Sequence, residues 1–73
     1  MPESVYKVIE LIGSSSESWE RAAANVVEEA AKHLKDLRIA EVSQMDMQIS
    51  EGKVISYRVK VKVSFKYHPK SQV

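Results

Sequence analysis

Between Lys53 and Tyr67 the chain alternates almost without interruption. Ile55, Tyr57, Val59, Val61, Val63, Phe65 and Tyr67 fall on one side, and Ser56, Arg58, Lys60, Lys62, Ser64 and Lys66 on the other. Period-two alternation marks a strand with one face on a core and the other in polar surroundings. So long a strand needs hydrogen-bonding neighbours along its edges and an apolar layer across one face. A chain of 73 residues has room for little else, so the rest of the sequence is expected to supply flanking strands and a covering helix.

Three other segments meet that need. Val5–Ile12 is rich in β-branched and aromatic residues and stops at Gly13, which predicts a strand. Both of its sides are largely apolar, with Val5, Ile9 and Leu11 on one and Tyr6, Val8 and Ile12 on the other. Either a helix and a neighbouring subunit cover such a strand, or it lies centrally. Trp19, Ala22, Ala23, Val26, Val27, Ala30, Leu34 and Leu37 recur at helical spacing, which predicts one amphipathic helix over Trp19–Leu37. On its polar side Glu28 and Lys32 are spaced as an i, i+4 pair. In the serine-rich turn before it, Ser14 and Glu17 have capping-box spacing and Ser16 is an equal alternative as N-cap. Glu17 and Glu20 fall near the positive end of the helix dipole and argue against a phosphate cradle there. Arg38–Ile49 alternates less regularly, with Ile39, Met45, Met47 and Ile49 expected on one face. Glu51 and Gly52 supply a tight turn. His68–Val73, containing Pro69, is expected to be a frayed tail.

The order β-α-β-β predicts an α+β fold in a single domain over residues 1–73. A helical crossover leaves the first two strands parallel, and the tight turn makes the third antiparallel. The simplest sheet sets the third strand in the middle, with the helix on its apolar face. A chain of this length buries only about 60% of its unfolded surface. With no cysteine, disulfides and thiolate metal sites are excluded as supports. Leftover apolar surface at Tyr6, Val8 and the methionines therefore predicts a homo-oligomer.

Charge is distributed unevenly. Residues 1–51 hold 10 acidic and 5 basic side chains, whereas residues 52–73 hold 6 basic ones and no acid. The bases alternate within a strand, so acidic and basic surfaces are expected to meet within or between subunits. A nucleic-acid role through Arg58, Lys60, Lys62 and Lys66 is the more distant reading. No apolar run approaches the roughly 20 residues of a membrane span, and Met1–Lys7 lacks a signal-peptide layout. The expectation is a cytoplasmic protein with neither membrane nor nucleic-acid partners.

Catalytic patterns are missing. There is no supported Ser-His-acid arrangement and no Gly-rich phosphate loop. His33 lies on the helix four residues after Glu29, and His68 is in the tail. A non-enzymatic protein is expected. Oxygen donors for a hard cation are available at Glu17, Glu20, Asp36, Asp46 and Glu51, without EF-hand spacing. Trp19 is spaced with the core residues and reads as core or interface.

Taken in order, Val5–Gly13, Ser14–Glu20, the alanine-rich helix, Ile39–Val42 and Tyr57–Phe65 resemble the dodecin family over about Val5–Lys66. The resemblance implies a three-stranded antiparallel-type sheet wrapped around one helix, assembled as a hollow homododecamer built from trimers. Flavin-binding members stack isoalloxazine rings between tryptophans at the start of the second strand and bond the ring through a glutamine on the third. Alignment puts Ile39 and Arg58 at those two positions. Where many bacterial members carry a phosphate-binding arginine, it puts Asp46.

Ser18–Glu20, Asp36–Ala40, Asp46–Met47, Gly52–Val54 and Tyr57–Arg58 are more similar to the calcium-dodecin branch, which also lacks the flavin tryptophan. That resemblance implies a shell binding calcium or a similar cation, for storage or buffering. Asp46 is the first candidate ligand, with Glu17 and Glu20 next. A flavin-storing dodecin is the alternative, and a shell with no specific ligand is a third reading.

Overall fold

The computed structural model describes residues 4–67. Strand β1 (Tyr6–Ser15), helix α1 (Trp19–Ala31), strand β2 (Leu37–Ser50) and strand β3 (Lys53–Lys66) follow one another. The sheet order is β1-β3-β2, with β3 antiparallel to both neighbours. This is the predicted α+β architecture, with the alternating strand in the middle and the helix across its apolar face.

The core forms where two periodicities meet. Ala22, Val26 and Ala30 from α1 pack with Val59, Val61, Val63 and Phe65 from β3, all of them buried. Ile9, Leu11, Trp19, Ala23 and Leu37 close around this cluster. The helix lies directly on β1 because Gly13 has no side chain. A Cβ there would collide with Val26 Cγ2 and stand 2.6 Å from the Ala22 carbonyl oxygen. The β2–β3 link has Glu51 at φ 53° and Gly52 at φ 77°. Two left-handed residues in a row match the twist of a two-residue hairpin.

Several boundaries differ from the sequence expectations. β1 continues through Gly13 to Ser15, because β3 is long enough to pair Ser14 with Arg58 and Ser15 with Tyr57. Val5 precedes the strand and stays exposed, while Ile9 and Leu11 pack toward the helix. The N-cap is Ser18, not Ser14 or Ser16. Its extended backbone lets Oγ accept from the Arg21 N–H at 2.9 Å. Ser15 Oγ accepts instead from the Glu17 N–H at 2.9 Å.

The helix ends at Ala31, short of the expected Leu37. Leu37 is needed in β2, opposite Phe65, and the chain reverses through Asp36 at φ 60° to reach it. The expected Glu28–Lys32 pair does not form. Glu28 bonds Arg21 at 2.9 Å, while Lys32 bonds Glu29 at 3.3 Å. The neighbouring His33 meets Glu29 at 3.4 Å, as its spacing predicts.

β2 departs furthest from expectation. Its register against β3 shifts between Leu37 and Ile39, between Val42 and Gln44, and between Gln48 and Ile49. Each extra residue swaps the faces that follow. The extra residues are Arg38 and Ser43 in β2 and Ile55 in β3, so Met45 and Met47 pair with Val59 and Tyr57 on the helix side, Ile49 continues their face, and Ile39 pairs with Ser64 on the far side. Of the four residues expected on one face, Met45, Met47 and Ile49 stay together and only Ile39 departs, because the extra residue Ser43 lies between them.

β1 reaches only as far along β3 as Tyr57, so Lys53–Ser56 and the facing part of β2 form a two-stranded arm. The chain measures 50 × 20 × 15 Å, with a radius of gyration of 14.8 Å. A compact chain of this length would have about 11 Å. The expected tail over His68–Val73 lies outside the described residues.

Candidate functional site

The far side of the sheet carries the polar half of β3, and its cross-strand partners decide what those bases meet. Lys62 lies between Glu10 and Glu41, Lys60 between Ile12 and Gln44, and Arg58 between Ser14 and Asp46. The last row makes the tightest contact. Arg58 Nε donates to Asp46 Oδ1 and Nη2 to Oδ2, both at 2.8 Å. This is the parallel two-bond geometry that matches a guanidinium to a carboxylate. The two side chains are about half exposed, at 46% and 54%. The hydrogen bonds from Arg58, and then its charge and that of Lys60, hold the Asp46 carboxyl below the usual carboxylate range. The same bonds raise Arg58 above its ordinary value. Beside the pair is a shallow hollow of about 140 Å³ lined by Ile12, Gln44, Asp46, Arg58, Val59 and Lys60.

Asp46 is also fixed from the helix side. Trp19 Nε1 donates to its main-chain oxygen at 3.0 Å. The indole meets Tyr57 edge-on, with ring centroids 5.1 Å apart and planes at 68°. Trp19 thus lies where core and site meet. It also borders an apolar hollow of about 210 Å³ shared with Glu20, Ala23, Val42, Met45 and Val59.

The residues singled out from the sequence divide into three places. Asp46 and Arg58, expected in separate roles, bond each other. Ile39 lies opposite Ser64, six β3 positions from Arg58, or about 20 Å along the strand. It borders a different hollow, with Val27, Leu37, Arg38, Ala40 and Val63. Ile39 and Arg58 therefore share no hollow within one chain. Glu17 stands just before α1 and Glu20 in its first turn. Among the described residues, no three His, Cys, Asp or Glu side chains gather as a metal site.

The donor type at Asp46 fits a hard cation, but the donor number does not complete one. Calcium takes six to eight oxygens, and both oxygens of Asp46 already accept from Arg58. Sequence reasoning missed the Arg58 and Trp19 contacts to Asp46. Counting back from the Glu51-Gly52 turn would set Asp46 against Tyr57. The register shift after Gln48 moves it to Arg58.

The family model for Dodecin matches residues 5–68. The chain belongs to the dodecin family. It is 48% identical over 66 residues to the calcium dodecin of Mycobacterium tuberculosis, covering 90% of this chain and 93% of that one. It is 37% identical over 62 residues to the dodecin of Thermus thermophilus, covering 85% and 90%. Among solved structures, the calcium-chelating antigen calcium dodecin of M. tuberculosis, solved with a calcium-binding site, superposes with a TM-score of 0.80 at 49% identity, covering 90% and 94%. Dodecin from Streptomyces coelicolor superposes at 0.87 with 32% identity, covering 93% and 97%. In this dodecin-family chain, no helix among the described residues is long and apolar enough to cross a membrane.

Proposed function

We propose that this dodecin-family chain is a non-enzymatic, cytoplasmic, single-domain protein. It assembles as a hollow homododecamer built from trimers and binds a divalent cation such as calcium for storage or buffering. The observation that carries the cation reading is the carboxylate of Asp46, anchored through its main chain and half open to solvent. The 48% identity to a relative named calcium dodecin supports it. One chain offers too few oxygens to encircle the ion, so repetition of Asp46 across subunits, with water or carbonyl oxygens, completes the coordination. Glu17 and Glu20 are the next candidate ligands.

Assembly is supported by what one chain leaves uncovered. Val8, Ile12 and Ile39 are all more than half exposed on the far side of the sheet, and Ile49 is equally open on the other face. Flavin is the weaker ligand reading. Ile39 has no π-face for a stacking contact worth about 1–3 kcal/mol, and Arg58 is engaged by Asp46.

Native mass spectrometry with and without a chelator tests this function. A twelve-subunit particle that loses metal-sized masses to the chelator is the expected result. A yellow particle with flavin-sized adducts would replace the cation reading by the flavin one, and a monomer would remove the shell.

A further inference from the structure

We propose that residues 44–48 of β2 form a two-register switch: the segment slips by one residue against β3 with both of its ends fixed, and the Asp46–Arg58 pair is the latch that holds the observed register. The switch belongs to the strand itself and stands apart from the cation reading.

The two inner bulges cancel. From Val42 to Ile49 β2 advances seven residues, and from Val61 to Val54 β3 also spans seven. Ser43 is the extra residue at one end of this stretch and Ile55 at the other, on opposite strands. Pairing of Val42 with Val61 and of Ile49 with Val54 is therefore compatible with two arrangements in between. The observed one sets residues 44–48 against residues 56–60 in five rows and leaves Ser43 and Ile55 out of register. The other takes both extra residues into an uninterrupted ladder, with Ser43 opposite Lys60, Asp46 opposite Tyr57 and Gln48 opposite Ile55. A one-residue slip exchanges the faces. It carries Asp46 to the helix side and brings Met45 and Met47 to the far side, so the far face presents either a carboxylate or an apolar stripe.

Little outside these rows has to move. β2 is an edge strand, so the bulge at Ser43 disturbs no further strand. β1 ends opposite Tyr57, so the bulge at Ile55 lies beyond its reach. Burial specifies a register strongly only where one face is well covered, and here the cover is thin. Met45 and Met47 remain 54% and 44% exposed, and Met45 borders the open hollow beside Trp19. An uninterrupted ladder also regains the pairing that two bulges forgo. What favours the observed register is polar. Arg58 bonds both carboxylate oxygens of Asp46 at 2.8 Å, and Trp19 Nε1 donates to the Asp46 main-chain oxygen at 3.0 Å. Serine hydroxyls fasten the two ends. Ser43 Oγ donates to the Lys60 main-chain oxygen and Ser56 Oγ to Gln48 Oε1, each at 3.1 Å.

Disulfide trapping reads the slip in the full chain, which has no cysteine of its own. Met47 and Ser56 lie on opposite faces in the observed register and stand opposite each other only in the slipped one. A Met47→Cys, Ser56→Cys chain therefore closes an intrachain disulfide only after a slip. Gln48→Cys with Ser56→Cys, a row of the observed register, is the control. In an oxidising glutathione buffer the control should close first and the trap more slowly, with each bond located by peptide mass. Adding Arg58→Gln to the trap should speed its closure about two- to fivefold, the range over which an exposed ion pair biases an equilibrium. A trap that stays reduced while the control closes overturns the switch, and a rate unchanged by Arg58→Gln overturns the latch. Inverting the alternation gives an independent check. Met45→Gln, Asp46→Leu and Met47→Gln together should give a crystal structure with the uninterrupted ladder, and retention of both bulges overturns the proposal.

Discussion

Asp46 is gripped at two points by residues from two other elements, its carboxylate by Arg58 of β3 and its carbonyl by Trp19 of α1. The first grip has a consequence for acid titration. Because the folded-state pKa of Asp46 is depressed, its contribution to stability is complete above the ordinary aspartate value of about 3.9. It is lost only as pH falls through the lowered one. Asp46 should therefore remain ionised and paired at pH 5, and carboxyl chemical shifts followed during an NMR titration would report this directly. A midpoint at or above the ordinary value would mean that the pair does not persist in solution. The second grip accounts for the half-hidden position of Trp19, which joins the hydrophobic cluster while its N–H reaches the site.

At the scale of elements, two small residues decide how α1 begins and where it rests. Ser18 caps the helix through the Arg21 N–H, so Ser18→Ala should lower stability by about 1 kcal/mol. Ser16→Ala should change it by no more than a few tenths. Chemical denaturation of the two variants separates them, and equal losses would contradict the cap. Gly13 lets the helix touch β1. Gly13→Ala should destabilise by about 1–3 kcal/mol through overpacking against Val26 and Ala22. An unchanged melting temperature would show that helix and strand separate at little cost.

For the whole molecule, the dominant fact is incomplete burial. The β2–β3 arm exposes Ile49, Val54 and Ile55, each between 45% and 64% open. A two-stranded ribbon with exposed apolar residues is marginal in water by itself, and the excess radius of gyration comes from the same extended arm. If the arm is covered by further copies, Ile49→Lys should leave the far-ultraviolet circular dichroism intact and shift the particle toward smaller species. Light scattering after size exclusion measures that shift, and an unchanged particle mass would place Ile49 on open surface.

The sequence by itself determined the element order, the middle position of β3, the helical stripe and the tight Glu51-Gly52 turn. Each is written in local periodicity or in a backbone conformation that few residues tolerate. It also carried the family likeness, because that is a linear pattern. Only the tertiary structure decided the helix end, the cap and the faces of β2. Leu34 and Leu37 continue the helical spacing, yet Leu37 is drawn into the sheet by its place opposite Phe65. Ser14 and Ser15 are taken by pairing with β3, which leaves Ser18 to cap. Above all, one extra residue in β3, Ile55, opposite the step from Gln48 to Ile49, sets Asp46 against Arg58 instead of Tyr57. A bulge has no periodic signature of its own. It arises where the registers demanded by two distant parts of a strand disagree, and that disagreement exists only once the sheet and helix are packed together.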